Sequence, residues 1–541
     1  MGSARSLPTT ASSSPVAPAT ARLDVAVGVV YHRVMLLALV LLLVVSLPIV
    51  VCMPLTSDTV LYDLQARTVL SGGILYRDIL EPNLPGIVWC HLLIRSVVGW
   101  SSEAMRIVDL LTVGTACLLL TILFCPKPLR SAKALVSATP TLLSLSLFYL
   151  TRNEWCHCQR DSWLLLPTAF ALAIRIRRSE TDSFRLRMCL SVFEGCCWGL
   201  AFWLKPHIAL TVAAVVVVDV IRPQNRRRQP ADLSGIVTGG ILVAIPGILW
   251  LVRSGAWEHF LEMQLDWNPE YLASGRERRT LERLVLMGIR FSPWWLIHVV
   301  AVSVAVRKLW LSLFGVEREM SRTPLLAAVY LSWLLQTALL QLAMDYIHVP
   351  AILLGIVLIR SVDWELPIPV QRLVVGGFLL LATLTAPQFE PQRLRLWADC
   401  FSEGSTWENR ESLSCGRFPD WKHLDQVSNF LKTQGVQRHD VTCFNVHCIH
   451  VYERLNLLPS TRYVGISSLL ELFPSREAEI REAVENAPAR FVVADLEESA
   501  EVPGTFPYDQ QLAFSAGAFR VYEVRGSRQP GFQPAVIPPP M

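Results

Sequence analysis

Asp58 is the first residue of this chain whose type and position could do chemistry. It follows the first long apolar run, residues 35–51, after a short step that contains Pro54 and Ser57. An ionised carboxylate at the end of a membrane span is poorly solvated. Its charge costs free energy unless an opposite charge pairs with it or it serves in binding or catalysis. Asp58 is therefore a candidate general base. The structural alternative is a helix N-cap, since Asp caps helices well.

Three further motifs could supply fixed positive charge or hydrogen-bond donors beside a membrane. They are Gln159-Arg160-Asp161, Lys205-Pro206-His207 and Tyr346-Ile347-His348. Cations and donors of this kind can hold a phosphate in a pocket of low dielectric constant. The alternative for each motif is an interfacial anchor, whose long side chain extends from a helix end to water.

The composition indicates a membrane protein with many spans. Of the 541 residues, 52% are hydrophobic and only 17% are charged, which is too apolar for a soluble chain of this size. The formal net charge of +4 is small, so no nucleic-acid partner is predicted. Lys and Arg cluster instead in short loops between apolar runs, which is a topology signal.

The predicted fold class is mainly α, a polytopic transmembrane helical bundle with a small extracytoplasmic C-terminal α/β domain. A bilayer core of about 30 Å needs about 20 apolar helical residues, and eleven windows approach that length. If the N-terminus is cytoplasmic, the basic loops fall on one side, and Asp58, Arg160, Lys205 and His348 all fall on the other. The eleven windows are residues 34–54, 106–124, 134–151, 162–176, 188–204, 206–221, 234–252, 283–306, 323–342, 350–362 and 370–387.

The chain divides into three predicted regions. Residues 1–33 are rich in Ser, Thr, Ala and Pro, which predicts a disordered cytoplasmic tail. Residues 34–390 form the transmembrane domain, with a first extracytoplasmic loop at residues 55–105. Residues 391–541 become polar and alternate helical with strand-like segments, including Val441 to Asn445, Arg490 to Ala494 and an edge strand at Phe519 to Val524.

Cysteine usage leaves two questions open. Four of the thirteen cysteines lie in the exported part, and an even number in an oxidising compartment allows either two disulfides or free thiols. These four are Cys400, Cys415, Cys443 and Cys448. Cys156-His157-Cys158 lacks the usual spacing of zinc ligands, so no metal ligand is predicted there.

The first predicted loop resembles that of a known superfamily. Its charged and aromatic residues are similar to the first extracytoplasmic loop of the GT-C membrane glycosyltransferases, which include the protein O-mannosyltransferases and the bacterial aminoarabinose transferases. The three motifs above also resemble an Arg-Asp or Arg-Glu pair, a Lys-Pro motif and a Tyr-His motif of bacterial relatives. The loop resemblance rests on Asp58, Tyr62, Arg67, Gly73, Tyr76, Asp78, Asn83, Pro85, Gly86, Arg106 and Asp109.

This resemblance implies an inverting membrane glycosyltransferase of a bacterial inner (plasma) membrane. Such an enzyme moves a sugar from a polyprenyl-phosphate donor to a lipid, glycan or protein acceptor. Asp58 would be its catalytic carboxylate. The residues expected to bind the donor phosphate or sugar are Arg160, Lys205, His348 and Arg67, and those expected to shape the loop or contact substrate are Tyr62, Asp78, Asp161 and Trp267.

Two details of this interpretation have alternatives. The superfamily often presents two adjacent acids after the first span, whereas this chain has only Asp58 between Ser57 and Thr59. No metal ligand is therefore predicted, and a divalent metal cofactor stays open. Trp267 is either a residue of the interfacial aromatic belt or part of a platform for sugar or acceptor.

Two other functions also stay open at this point. A transporter or flippase would line one vestibule with polar groups, although transporters more often place such groups near the bilayer midplane and contain internal repeats. A non-catalytic assembly protein would use the spans as an anchor for its exported domain. That function leaves the charges on the outward side without a purpose.

Overall fold

The structure is a computed structural model that describes residues 19–125, 132–221, 229–277, 280–314, 322–341, 344–416 and 419–524. Up to residue 390 its regular elements are helices, and short 3₁₀ turns and a π-helical turn (Met263–Trp267) occur beside the α-helices. The α-helices are α1 (Ala19–Cys52), α2 (Ser57–Leu70), α3 (Gly86–Val98), α4 (Ser102–Phe124), α5 (Ala132–Leu150), α6 (Arg160–Trp163), α7 (Leu165–Ser179), α8 (Phe184–Leu204), α9 (Ile208–Ile221), α10 (Gln229–Arg253), α11 (Trp257–Glu262), α12 (Asn268–Glu277), α13 (Leu281–Arg290), α14 (Leu296–Leu313), α15 (Thr323–Leu340), α16 (Val349–Arg360) and α17 (Ile368–Leu384).

These helices form the predicted apolar bundle. Five of them are long and apolar enough to cross a membrane, namely α1 from Val27, α4, α10, α14 and α15. Each of the eleven predicted windows coincides with helical residues, and window 283–306 is divided into α13 and α14. The mainly α fold class is thus confirmed, while the number of spans stays a prediction.

The start of the first helix differs from the predicted boundary. Residues 19–33, which were assigned to a disordered tail, are helical and continue directly into the first apolar run. This segment has no proline, and its valines and alanines extend the apolar pattern of the span, so the helix has no reason to stop at residue 34. The rest of the predicted tail, residues 1–18, lies outside the described residues.

The first loop contains two helices, α2 and α3, which are joined by a buried ion cluster. Asp63 of α2 accepts a 2.7 Å hydrogen bond from Arg95 Nε of α3, and its Oδ1 lies 2.8 Å from His91 Nδ1. From the sequence alone, the i,i+4 spacing of Asp63 and Arg67 predicts a salt bridge between these two residues, and that prediction is wrong. Packing of α3 on α2 brings the buried Arg95 closer to Asp63 than the more exposed Arg67.

The C-terminal part is the predicted α/β domain. Its sheet has the order β1-β2-β4-β3, with β1 and β2 parallel and the other pairs antiparallel. Its elements are α18 (Pro391–Glu403), α19 (Trp407–Leu413), α20 (Trp421–Thr433), β1 (Val441–Cys443), α21 (His450–Leu455), α22 (Ile466–Leu472), α23 (Glu477–Glu485), β2 (Phe491–Asp495), β3 (Gln511–Ala516) and β4 (Phe519–Glu523).

One strand of this sheet escaped the sequence analysis. The segment of β3 is largely exposed and has weak alternation of apolar and polar residues, so its sequence carries little strand signal. Because β3 takes the edge of the sheet, β4 lies between β2 and β3, and the prediction of β4 as an edge strand is wrong. The fully buried β2 is the centre of the domain.

A second buried ion cluster joins α7, α8, α9 and α10. Glu194 of α8 is fully buried and lies 2.5 Å from Arg175 Nη2 and 2.8 Å from Arg178 Nη1, both on α7. Arg187 of α8 pairs with Asp232 of α10 through a 2.7 Å bond from Nε. From the sequence alone, Arg175, Arg178 and Arg187 belong to one of the basic loops on the predicted cytoplasmic side, whereas in the structure they lie on helices and neutralise carboxylates between them. Unpaired, such groups would be costly at this burial.

Removal of Glu194 should therefore destabilise the bundle. We expect Glu194→Ala to lower the free energy of unfolding by about 3–5 kcal/mol, because it leaves two buried guanidinium groups without their shared carboxylate. Thermal unfolding of the purified protein in detergent measures the effect. Glu180→Ala is the matched control, since Glu180 is 39% exposed and its two ion-pair partners, Arg177 and Arg322, are 68% and 46% exposed, and exposed ion pairs contribute little to stability. Equal melting temperatures for the two variants would contradict the structural role of the cluster.

Candidate functional site

Asp58 lies in the first turn of α2 and is not used as a cap. Thr56 is the N-cap, and its hydroxyl accepts the 3.3 Å hydrogen bond from the Thr59 backbone N–H. The carboxylate of Asp58 therefore does not cap α2, and the residue is partly exposed. Burial raises its pKa, while the charge of Arg160 and the side-chain amide of Gln159 lower it. The N-cap alternative is thus wrong for Asp58.

Arg160 faces Asp58 from the loop that begins α6. The guanidinium is half-buried, and its electrostatic neighbours include the carboxylate of Asp161 and three phenols. The phenols belong to Tyr62 of α2, Tyr271 of α12 and Tyr346 of the turn before α16. Among the residues that the structure describes, Arg160 has no carboxylate within ion-pair distance. Its donors are therefore available to an anion.

Lys205 is the second cation of this group. It follows the last residue of α8, and its Nζ lies 2.6 Å from Asp161 Oδ1. Lys205 and Asp161 are 5% and 1% exposed, so this is a buried ion pair. Burial and, to a smaller extent, the neighbouring Arg160 lower the pKa of Lys205 to about 8, because together they outweigh the opposing charge of Asp161. Asp161 Oδ2 has no hydrogen-bond partner among the described residues.

Gly86 allows the first loop to approach Lys205. A Cβ atom at this position would lie 2.4 Å from the backbone carbonyl of Trp203, at the end of α8. Such a distance is far shorter than any real carbon contact, so only glycine lets the start of α3 pack there. The Pro85-Gly86 motif thus serves close packing between α3 and α8.

His348 lies beside this group but is not a cation. It is buried before the first turn of α16, and its ring packs edge-on against Trp295 with 5.1 Å between centroids. Burial lowers the pKa of His348 to about 4, and His298 adds to this effect. The imidazole is neutral near pH 7, so it can donate or accept a hydrogen bond but adds no charge. Its Nδ1 has no partner among the described residues.

Glu81 is the residue of this site that the sequence analysis missed. It is fully buried, and its Oε1 accepts hydrogen bonds of 2.7 and 2.5 Å from the backbone N–H and the side-chain amide of Asn83. Burial raises its pKa, and the charge of Arg160 opposes this rise. Oε2 has no partner among the described residues. The available signal was an acid in the first loop directly before Pro82.

The second acid of the site thus comes from a distant position of the same loop and not from a residue adjacent to Asp58. Asp58 and Glu81 both interact electrostatically with Arg160, Tyr62 and Tyr271. Within the described residues, no group of three or more His, Cys, Asp or Glu is arranged to hold a metal ion. The carboxylates of Asp58 and Glu81 thus both lie within electrostatic range of the Arg160 guanidinium.

Three predicted site residues lie elsewhere. Arg67 donates a 3.3 Å hydrogen bond to the Tyr452 carbonyl and lies over the ring of Trp100. Asp78 pairs with Arg77 at 2.8 Å near the protein surface. Trp267 is buried against the C-terminal domain. The structure therefore groups Tyr62 and Asp161 with Asp58, but not these three side chains.

The C-terminal domain covers one side of the site. The Leu80 backbone N–H, next to Glu81, donates a 2.8 Å hydrogen bond to the Arg462 carbonyl. Tyr271 stacks on Phe473 with 6.2 Å between ring centroids. The C-terminal domain thus contacts both the first loop, at Leu80, and α12, at Tyr271.

The fold can now be compared with known proteins. No protein-family model and no curated protein matches the sequence. The structure is similar to ArnT from Cupriavidus metallidurans bound to undecaprenyl phosphate, with 15% identity, a TM-score of 0.57, and coverage of 95% of this chain and 100% of that chain. The structure is also similar to ArnT from Cupriavidus metallidurans in the apo state, with 14% identity, a TM-score of 0.51, and coverage of 92% of this chain and 98% of that chain.

A looser likeness is to the oligosaccharyltransferase AglB from Archaeoglobus fulgidus, with 14% identity, a TM-score of 0.45, and coverage of 86% of this chain and 69% of that chain. At the identities found for ArnT, structural likeness establishes the fold. The apolar bundle and the C-terminal domain both take part in it, since nearly all of each chain is covered. This chain is therefore an integral membrane protein with a fold similar to that of ArnT.

Proposed function

We propose that this protein is a membrane glycosyltransferase that moves a sugar from a polyprenyl-phosphate donor to an extracytoplasmic acceptor. The observation that carries the proposal is the meeting of Asp58 with Arg160 and with the Lys205–Asp161 pair, although these residues come from separate parts of the chain. The fold supports it, because ArnT with undecaprenyl phosphate has the same architecture.

The acceptor side of the reaction is assigned to Asp58. An acceptor hydroxyl attacks the anomeric carbon of the donor sugar, a carbon–oxygen bond forms, and the hydroxyl proton passes to the carboxylate. Burial raises the pKa of Asp58, which makes it a stronger base than an exposed aspartate. Attack from the face opposite the leaving phosphate gives inversion at that carbon.

The donor side is assigned to Arg160 and Lys205. As the bond between the anomeric carbon and the phosphate oxygen breaks, negative charge collects on the phosphate. Fixed cations stabilise such developing charge in a site of low dielectric constant. Arg160 is the stronger candidate, because it has no carboxylate partner among the described residues, while Lys205 shares its charge with Asp161. A neutral His348 contributes a hydrogen bond to sugar or phosphate.

The remaining predicted residues take supporting roles in this proposal. Tyr62 lines the site beside Arg160, and Arg67 attaches α2 to the C-terminal domain. Asp78 closes the turn after α2 through a 2.7 Å bond from the Ile74 backbone N–H. We place the site and the C-terminal domain on the extracytoplasmic face of a bacterial inner membrane, because the predicted loops rich in Lys and Arg fall on the opposite side.

Replacement of Asp58 tests the proposed base. Asp58→Asn keeps the size of the side chain but cannot accept the proton, so we expect sugar transfer to fall by roughly a hundredfold or more. Transfer is measured with a polyprenyl-phosphate sugar in proteoliposomes, after mass spectrometry of envelope lipids and glycans has identified the missing glycosyl unit. Asp266→Asn, at an exposed carboxylate, is the matched control. Full transfer by Asp58→Asn would remove Asp58 as the base, and passage of the donor across the bilayer without transfer would support a flippase.

The pH dependence of donor binding tests Lys205. Its pKa of about 8 means that the cation is present below pH 8 and is lost as the pH rises through that value. We therefore expect the affinity for polyprenyl phosphate to fall above about pH 8, where the second ionisation of the phosphate, near pH 6, is already complete. Lys205→Arg should remove this fall, since a guanidinium stays charged.

Titration of lipid phosphate binding in detergent, from neutral to alkaline pH, measures this profile. Lys205→Ala should bind weakly at every pH, because the charge is absent throughout. An identical alkaline fall in the wild-type protein and in Lys205→Arg would show that another group titrates, and would remove Lys205 from the donor site.

A further inference from the structure

Two cysteine thiols from distant parts of the chain meet at the outer end of the first span. Cys52 is the last residue of α1, and Cys400 lies in α18, 348 positions later. The Sγ of Cys52 lies 3.3 Å from the carbonyl oxygen of Cys400. Both side chains are buried, with 2% and 4% exposure. A hydrogen bond between the two thiols, together with burial, raises the pKa of Cys400.

We propose that Cys52 and Cys400 form a disulfide that links the first span to the C-terminal domain. The structure records all thirteen cysteines as free thiols, and it brings these two together in a place where an oxidising compartment would join them. The inference rests on the extracytoplasmic orientation proposed above and does not depend on the transfer reaction.

The reaction balances with an ordinary exchange partner. Each thiol loses its proton, one sulfur–sulfur bond forms, and the two electrons released reduce the disulfide of a thiol–disulfide oxidoreductase to a dithiol. Because both thiols become buried in the folded protein, the exchange precedes the final packing of α18 on α1 or occurs while this contact opens. The finished bond is then shielded from reductants.

The position of the pair gives the bond a structural consequence. Cys52 lies six positions before Asp58, and the intervening turn is already held on one side by Arg106, which donates to the carbonyls of Met53 and Pro54. A bond from Cys52 to Cys400 would hold the same turn from the other side. Asp58 would then be positioned by a covalent link as well as by packing.

The other cysteines of the C-terminal domain offer no comparable link between separate parts of the chain. Cys415 is exposed. The Cys443 thiol donates a similar 3.1 Å bond to the Cys448 carbonyl, but these two residues lie five positions apart, so a bond between them would join no separate elements. Cys400 is the one of these four cysteines whose carbonyl lies within hydrogen-bond distance of the Cys52 thiol.

Peptide mapping of the wild-type protein tests the proposal. Membranes are prepared without reductant, free thiols are blocked with N-ethylmaleimide, and the digested protein is analysed by mass spectrometry. We expect the peptides of Cys52 and Cys400 to appear as one linked species that dithiothreitol separates, and Cys415 to be alkylated. Detection of Cys52 and Cys400 as separate alkylated peptides would overturn the proposal.

Variants add a readout that does not depend on digestion. Cys52→Ser, Cys400→Ser and the double variant should share one melting temperature, several degrees below that of the wild type, because each removes the same bond. Cys415→Ser is the matched control and should melt like the wild type. Additive losses in the double variant would indicate two independent thiols and would contradict the disulfide. A linked wild-type protein without sugar transfer would remove the proposed function and leave the disulfide in place.

Discussion

Buried charges in this protein need an opposite charge or hydrogen bonds as partners, and this requirement governs how its helices pack. Ionised side chains that leave water lose several kcal/mol of hydration free energy unless an opposite charge and hydrogen bonds replace it. The protein meets this cost by pairing Asp63 with Arg95, and Glu194 with the arginines of α7. Against that background Arg160 stands out, since the described residues give it electrostatic neighbours but no ion pair. Its donors are the ones that the proposed function assigns to the anionic phosphate of the sugar donor.

The fold makes such a site by bringing together segments that are short and well separated in sequence. The first loop supplies Asp58 and Glu81, the loop before α6 supplies Arg160, and the end of α8 supplies Lys205. Glycine at position 86 lets the first loop reach α8, and the C-terminal domain holds the loop from outside through Arg462. The C-terminal domain is therefore part of the architecture of the candidate site.

Sequence reasoning succeeded where a residue's position in the chain already limits its surroundings. Asp58, Arg160 and Lys205 each stand next to an apolar run, so their positions near helix ends followed from hydropathy alone. It failed where the partner comes from another element. The i,i+4 spacing favoured Arg67 as the partner of Asp63, yet Arg95 takes that place, and nothing local in Glu81 distinguished it from a surface acid.

The amino-acid sequence alone was enough to predict the class of protein, its helical bundle, the C-terminal α/β domain and most of the residues that surround the candidate site. These depend on local composition and periodicity, which act over one or two helical turns. Contacts between distant segments revealed that Asp58 and Glu81 both lie within electrostatic range of Arg160, that His348 is neutral, and that the Cys52 thiol reaches the Cys400 carbonyl. Such facts depend on burial and on contacts between helices far apart in the chain, and no pattern along the sequence specifies them.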